Sequence, residues 1–231
     1  MAKDSGWLGS PPSGTRPPPQ GKAALAWARS TLARDPQCPD ALRLKILLEP
    51  GSPQVKAAHL KALVERLEAT PTEVAPRLRA LLALAQALEQ GGRIKDAVPV
   101  YERALDLAPE DPLEARYHLA RCLLDLRRLK ELRVLRERFP EDRSALLQWI
   151  RLLEIQKLEK QVGLGEALRE ARRANPHVEA FLTSRSRIPK HRQASGDAPP
   201  GSEAEALHIL ELIGESWFSD RAALFWLIKN A

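Results

Sequence analysis

The sequence is poor in the residues that disulfide-stapled, metal-bound and membrane-spanning proteins depend on. It has two cysteines among 231 residues, and aromatic residues make up only 5% of it. Cys38 and Cys122 fit a reducing compartment, where we expect small core residues and no disulfide. No apolar run approaches the roughly 18 to 20 residues of a membrane-spanning helix. The N-terminus also has no apolar stretch of signal-peptide length, so we expect a cytoplasmic protein without a membrane segment.

Catalytic, metal and cofactor motifs are missing as well. The five histidines show no His-x-x-x-His spacing and there is no Cys-x-x-Cys pair, so no zinc site is predicted. No Gly-x-Gly-x-x-Gly or Gly-x-Ser-x-Gly motif is present. The glycine-rich element around Gly163 and Gly165 lacks the lysine of a phosphate-binding loop and favours a turn between helices. The sequence therefore predicts a protein that is not an enzyme and has no cofactor.

What the sequence does contain is helix-forming residues separated by proline. Hydrophobic residues account for 44% and charged residues for 29%, with alanine, leucine, glutamate, arginine and lysine common, which predicts an all-α fold. Residues 1–20 are rich in proline, glycine and serine, and we expect them to be disordered. From residue 21 to 231 we expect a single helical-repeat domain, in which short turns join helices of about 10 to 16 residues.

The clearest unit is the segment RIKDAVPVYERALDLAPEDP, residues 93–112. Ala97, Tyr101 and Ala104 recur at helical spacing, and Pro109 ends the helix. Pro99 lies inside this pattern, so the helix is predicted to begin near Ile94 with a mild kink. A preceding helix supplies the apolar positions Leu81, Leu84, Ala85 and Leu88, and the Gly91-Gly92 pair ends it.

Paired helices that repeat after about 34 residues, with small residues where they cross, are typical of tetratricopeptide repeats. The best repeat spans residues 78–111. A degenerate repeat spans residues 112–140, with one extra residue in its turn. The sequence therefore predicts a tetratricopeptide-like right-handed superhelix of antiparallel helix pairs.

Residues 76–228 also resemble a known family. The segment LDLAPEDPLEARYHLARCLLDLRRLKELRVLRERFPEDRSALLQWIRLLE is similar to the core of the tetratricopeptide proteins related to suppressor of tumorigenicity 7. Residues 175–228 resemble the C-terminal signature of that group, although Glu179 stands where a proline is usual. Because the membrane segments of eukaryotic members are absent, the chain resembles soluble bacterial relatives. The resemblance implies a tetratricopeptide fold and supplies no catalytic residues.

The C-terminal signature can also be interpreted physically. Ser202 and Glu205 form a predicted capping box at the start of an amphipathic helix, and Ser219 or Asp220 is expected to cap the last helix. A terminal hairpin of this kind would cover the exposed end of a repeat stack, so we expect a C-terminal capping hairpin. The alternative is an aromatic partner groove formed by Trp217, Phe218, Phe225 and Trp226.

The leading functional hypothesis is a scaffold that binds another protein or peptide through a concave face made by the first helices. The candidate contact residues are Arg79, Gln86, Tyr117 and Arg121. Arg79 and Arg121 could pair with acidic groups. The asparagines of a peptide-carboxylate clamp are missing from these positions, so such a clamp is not predicted there. We expect a monomer or a weak homo-oligomer.

The alternative from another class is a nucleic-acid-associated protein that uses the basic segments 127–138 and 185–192. A net charge of +6 is modest for that role, and glutamates dilute the first segment. A solvated helix face and a polar linker explain both segments more simply. Nucleic-acid binding is therefore the less favoured hypothesis.

Overall fold

A computed structural model describes residues 22–158, 162–184, 186, 188 and 198–230. The segment predicted to be disordered, residues 1–20, lies outside the described residues. Within the described ranges the chain forms α-helices and no strand, so the all-α prediction is confirmed. The helices are α1 Lys22–Arg34, α2 Pro39–Leu48, α3 Pro53–Ala69, α4 Val74–Gln90, α5 Ile94–Leu107, α6 Ala115–Asp125, α7 Leu129–Arg138, α8 Ala145–Lys157, α9 Leu164–Ala174, α10 His177–Leu182, α11 Glu203–Phe218 and α12 Arg221–Lys229.

Internal contacts divide the chain into two compact units. The N-terminal unit is Met1–Leu119 and the C-terminal unit is Ala120–Ala231, so the division falls inside helix α6. That residues 21–231 form a single helical-repeat domain stays a prediction.

Helix α4 is the centre of the N-terminal unit. It packs against α2, α3 and α5, and most of its residues are buried. A helix that is buried nearly all round belongs to a core, which explains its run of alanine and leucine. The helix begins at Val74 and has Pro76 in its first turn. Proline is tolerated there because the first amides of a helix have no intrahelical acceptor.

The residues that define the repeat lie in the core as expected. Ala97, Tyr101 and Ala104 of α5 are buried, as are Leu81, Leu84, Ala85 and Leu88 of α4. Helix α5 begins at Ile94, which confirms its late start, and Pro99 is on the exposed side. The small side chains at 97 and 104 let α5 pack closely against α4.

The turns after α4 and α6 have the same hydrogen-bonded geometry. The amide of Arg93 donates to the carbonyl of Leu88 at 2.8 Å across Gly92, whose φ is 75°. After α6, the amide of Arg128 donates to Leu123 at 2.8 Å, and Arg127 takes the same place with a φ of 56°. Both turns are Schellman motifs, which need a left-handed residue after the helix. The second repeat therefore copies the turn of the first, with arginine where glycine fits better.

Substitutions at these two turns should have opposite effects on stability. A left-handed conformation costs a residue with a Cβ about 1–2 kcal/mol, and glycine costs about 0.5–1 kcal/mol of chain entropy. We expect Gly92→Ala to lower the free energy of unfolding by about 1 kcal/mol, although its Cβ would meet no atom within 4 Å. Arg127→Gly should raise it by about 0.5 kcal/mol. Urea denaturation of the full chain measures both changes.

Gly51→Ala is the matched control for the glycine substitution. Gly51 is exposed, its φ is not in the left-handed region, and an added Cβ would meet only Lys56 at 3.9 Å. It should be neutral or slightly stabilising. Equal destabilisation by Gly51→Ala and Gly92→Ala would show that backbone conformation is not the cause.

In the C-terminal unit, one asparagine joins three segments. Asn175 is 0% exposed and follows α9. Its side-chain amide donates to the Ser202 carbonyl at 2.9 Å and to a Glu205 carboxylate oxygen at 2.8 Å. Its Oδ1 accepts from the His177 amide, and its carbonyl accepts from the indole of Trp149 at 3.3 Å. Asn175 therefore connects α8, α10 and the start of α11.

Candidate functional site

Arg79, the first candidate contact residue, faces the interior of the N-terminal unit. Its Nε and Nη2 donate to the two carboxylate oxygens of Asp40 at 2.8 and 2.7 Å, and only 6% of the residue is exposed. Arg43 reaches the same carboxylate at 3.4 Å. Burial and the nearby Arg79 charge lower the pKa of Arg43, while Asp40 opposes that shift. Arg79 therefore joins α4 to α2 through the half-buried carboxylate of Asp40. From the sequence, this side chain is predicted to line a groove instead.

Gln86 is better placed for contact with a partner. It is half-buried, whereas its neighbours Ala85 and Ala87 are buried. It lies two helical turns after Arg79, on the same side of α4. An amide side chain can donate and accept at once, so it can pair with the backbone of a bound peptide.

Tyr117 is held by an ordered set of polar contacts at the start of α6. Its hydroxyl accepts from Arg116 Nη2 at 2.8 Å, and the Arg116 guanidinium carbon lies 4.2 Å from the ring centroid. Arg116 in turn donates through Nη1 to Asp111 Oδ2 at 3.0 Å. The same carboxylate accepts from the amides of Ala115 at 2.6 Å and Arg116 at 3.0 Å. Asp111 therefore caps α6 and orients Arg116 against the ring.

Asp111 was not among the predicted site residues. It is buried and has a φ of 49°, in the left-handed region that aspartate tolerates better than most residues. Its position four residues before the first helical residue of α6 hides its role, since an ordinary N-cap directly precedes the helix. The Pro-Glu-Asp-Pro composition of the turn was the available signal, and it indicates a turn without specifying a cap.

Arg121 is half-buried and lies four residues after Tyr117. Residues four apart share one side of a helix, so Tyr117 and Arg121 form a polar row along α6. Arg121 belongs to the C-terminal unit, while the other three candidates belong to the N-terminal unit.

The first basic segment, residues 127–138, turns part of its charge inward. Glu154 is 1% exposed, accepts from Arg136 Nε at 3.0 Å, and has Arg133 Nε at 3.8 Å. Burial raises the pKa of Glu154, although Arg136 and Arg133 oppose the shift. Arg128 is paired with Glu131. These pairs reduce the charge that the segment offers to phosphates. Most of the second segment, 185–192, lies outside the described residues.

The C-terminal hairpin uses its aromatic residues in two ways. Trp217 is fully buried and meets Trp149 edge to face, with ring centroids 5.9 Å apart. Phe218 and Phe225 are exposed, Phe225 by 60%. The aromatic groove considered from the sequence is therefore divided, because Trp217 packs in the core of its unit while the two phenylalanines face solvent.

Both predicted helix caps are present in the hairpin. Ser202 Oγ accepts from the Glu205 amide at 3.1 Å. The Glu205 carboxylate accepts from the Gly201 amide at 2.7 Å, one residue earlier than in a standard capping box. Asp220, not Ser219, caps α12, because its Oδ1 accepts from the Ala223 amide at 3.0 Å. Asp220 Oδ2 also accepts from Lys157 Nζ at 2.9 Å, which joins α12 to α8.

The charge of Asp220 should stabilise the fold in a pH-dependent way. Burial alone would raise the pKa of Asp220, but the bonds from Lys157 and the Ala223 amide outweigh it and hold the pKa below its ordinary value. A lowered pKa contributes stability above the unfolded pKa of about 3.9, and that contribution is lost as the pH falls through the folded pKa. We expect Asp220→Asn, which keeps the cap, to lower the free energy of unfolding at pH 7 by about 1 kcal/mol.

Urea denaturation at several pH values measures this effect, and the mutant and wild-type curves should converge in acid. Asp96→Asn is the matched control, because Asp96 pairs with Arg93 on the exposed surface, where ion pairs contribute little. If Asp220→Asn lowers the free energy of unfolding by the same amount at low pH as at pH 7, the charge of Asp220 is not the cause.

Grouped metal ligands and membrane-spanning helices are both missing from the part of the chain that the structure describes. Within those ranges no three histidine, cysteine, aspartate or glutamate side chains are grouped so that they could hold a metal ion. None of the described helices is both long and apolar enough to cross a membrane.

Comparison with known proteins identifies the repeat. Residues 78–122 match the tetratricopeptide repeat family, from within α4 to within α6. No curated protein matches the chain. The match covers the helix pair that carries Gln86 and the start of α6 that carries Tyr117 and Arg121. Together with the helical architecture it confirms a tetratricopeptide-like helical-repeat fold, while the resemblance to the suppressor of tumorigenicity 7 group stays a prediction.

Proposed function

We propose that this chain is a non-enzymatic tetratricopeptide-like scaffold that binds another protein or peptide through the first helices of its repeats. The observation that carries the proposal is the repeat match over residues 78–122, since repeats of this kind generally present surfaces to other proteins. The contact residues are Gln86, Tyr117 and Arg121, and the partner is a polypeptide of unknown identity.

The chemistry of these three side chains suits a polypeptide ligand. The Gln86 amide matches a peptide bond as donor and acceptor. Tyr117 supplies a large amphipathic surface with few rotatable bonds, and tyrosine and arginine are the residue types that most often dominate binding energy. Arg121 adds a cation for an acidic side chain.

The surroundings of Tyr117 support a preorganised contact. Asp111 and Arg116 fix the hydroxyl and one face of the ring before any partner arrives. A side chain held in place loses less conformational entropy on binding. The same logic assigns Arg79 a supporting role, since its ion pair with Asp40 holds the helix on which Gln86 lies.

Affinity capture with the intact chain tests the proposal. We expect Tyr117→Ala and Arg121→Ala each to lower the affinity for a captured partner by about tenfold or more. A tenfold change corresponds to about 1.4 kcal/mol of binding free energy. Gln86→Ala should have a smaller effect, because one neutral hydrogen bond contributes about 0.5–1.5 kcal/mol. Isothermal titration with the purified partner gives the affinities.

The matched control is Lys95→Ala, an exposed position on the second helix of the same repeat. It should leave affinity unchanged. Arg79→Glu is unsuitable as a test, because it would place a second carboxylate against Asp40 and unfold the unit. Partner affinity that is insensitive to Tyr117→Ala, Arg121→Ala and Gln86→Ala would exclude this surface.

A further inference from the structure

The outer side of the C-terminal hairpin carries exposed apolar residues. Phe218 at the end of α11 is 47% exposed, and Phe225 and Ile228 of α12 are 60% and 53% exposed. Three of the seven exposed large hydrophobic residues of the described ranges therefore lie close together in the chain. The terminal cap of a repeat stack needs a polar outer face, because that face meets water. Capping alone does not explain this surface.

The exposed residues of the two helices lie on one side of the hairpin. Both α11 and α12 pack on α8, so their buried sides share a neighbour. Phe225 is two residues from each of the buried residues Ala223 and Leu227, which at about 100° per residue places it on the opposite side of α12. Glu215 of α11 likewise has a buried residue two positions before it and another two positions after it. Phe225 and Glu215 therefore point away from α8, and we call the exposed residues of α11 and α12 the hairpin face.

The two helices of the hairpin carry opposite charge. Helix α11 contains four glutamates and no lysine or arginine, whereas α12 contains Arg221 and Lys229 and no carboxylate. Glu215 and Arg221 are exposed and have no ion-pair partner among the described residues. The Nζ of Lys229 lies 4.6 Å from the centroid of the Phe225 ring. The hairpin face thus combines apolar side chains with an acidic helix on one side and a basic helix on the other.

The unpaired charges lie at the same end of the hairpin. Glu215 is in the last turn of α11, and Arg221 is the first residue of α12. Only Ser219 and Asp220 separate the two helices, which also pack on each other. Helices joined by so short a connection form an antiparallel hairpin. Glu215 and Arg221 are therefore at similar heights along the hairpin, beside its turn.

This charge pattern is complementary to itself. A two-fold interface brings the same patch of each copy together, so a patch that forms one must match its own copy. Contact of α11 with α11 would oppose glutamates, and contact of α12 with α12 would oppose basic residues. Contact of α11 with α12 about an axis along the helices pairs opposite charges twice, which favours association. An anionic membrane or a nucleic acid would attract α12 but repel α11.

We propose that the hairpin face binds a second copy of this chain in a two-fold dimer, with α11 of each copy against α12 of the other. Phe218, Phe225 and Ile228 form the apolar centre, and Glu215 of each copy pairs with Arg221 of the other. Helix α12 has nine residues and is about 14 Å long. Helices this short bury less than the roughly 800 Å² per partner of a standard interface, so the dimer is weak and reversible.

Sedimentation equilibrium of the full chain tests the proposal. We expect the average mass to rise from that of one chain toward that of two between about 10 µM and 1 mM, the range of a weak complex. Phe225→Gln should lower the association constant about tenfold or more, because it removes the most exposed apolar side chain of the hairpin face. Val134→Gln is the matched control, since Val134 is exposed on α7, and it should leave association unchanged.

Charge reversal separates contact between copies from folding. Glu215→Arg and Arg221→Glu each oppose like charges in the dimer, so either variant alone should associate about tenfold more weakly than the wild type. Neither change harms its own helix, because arginine suits a helix C-terminus and glutamate a helix N-terminus. An equimolar mixture of the two variants restores both ion pairs between unlike copies and should recover association. Glu102→Arg, an exposed reversal on α5, should have no effect.

Three outcomes of these measurements would overturn the proposal. The first is the mass of a single chain over the whole concentration range. The second is a dimer that is insensitive to Phe225→Gln and to both charge reversals, and the third is a pair of reversed variants that do not recover on mixing. A monomeric wild type that binds anionic vesicles or another protein through Phe225 would also exclude a second copy as the occupant. The repeat surface is tested separately, because partner capture through Tyr117 does not depend on the hairpin face.

Discussion

The structure depends on the left-handed residue that ends the first helix of a repeat. At Gly92 and again at Arg127 the chain leaves its helix through a Schellman turn, which satisfies two terminal carbonyls and reverses the chain direction within a few residues. After Gly92 the reversal brings α5 back against α4, so that apolar faces too narrow to form a core alone become buried together.

The distribution of charge is the second organising feature. The sequence is basic overall, yet several of its arginines are used inside the units. Arg79 binds Asp40, Arg136 binds Glu154 and Arg172 binds Glu179 in a two-bonded pair of 2.6 and 2.7 Å. Such pairs contribute less to stability than their geometry implies, because both charges leave water. Their effect is to fix which helices pack together.

Much of the fold could be predicted from the sequence, and the reasons are local. Helical spacing at Ala97, Tyr101 and Ala104, the late start at Ile94 and the cap at Ser202 depend on residues close together in the chain. The partners of charged residues could not be predicted in this way. Asp40 and Arg79 are 39 residues apart, and no local pattern distinguishes an arginine that faces a groove from one that finds a buried carboxylate. The same limit applied to Asp111, whose capping role depends on an irregular turn.

A comparison of two buried amides shows what burial costs a polar side chain. Asn175 uses its Oδ1 and its amide nitrogen, so its burial is balanced within the fold and its role is structural. Gln148 is nearly as buried, but its Oε1 accepts no hydrogen bond from any residue that the structure describes. Selection for stability alone would favour an apolar residue at position 148, since leucine would fill the space without the desolvation cost. The contrast shows that the burial of an amide is balanced only where the fold places partners around both of its polar atoms.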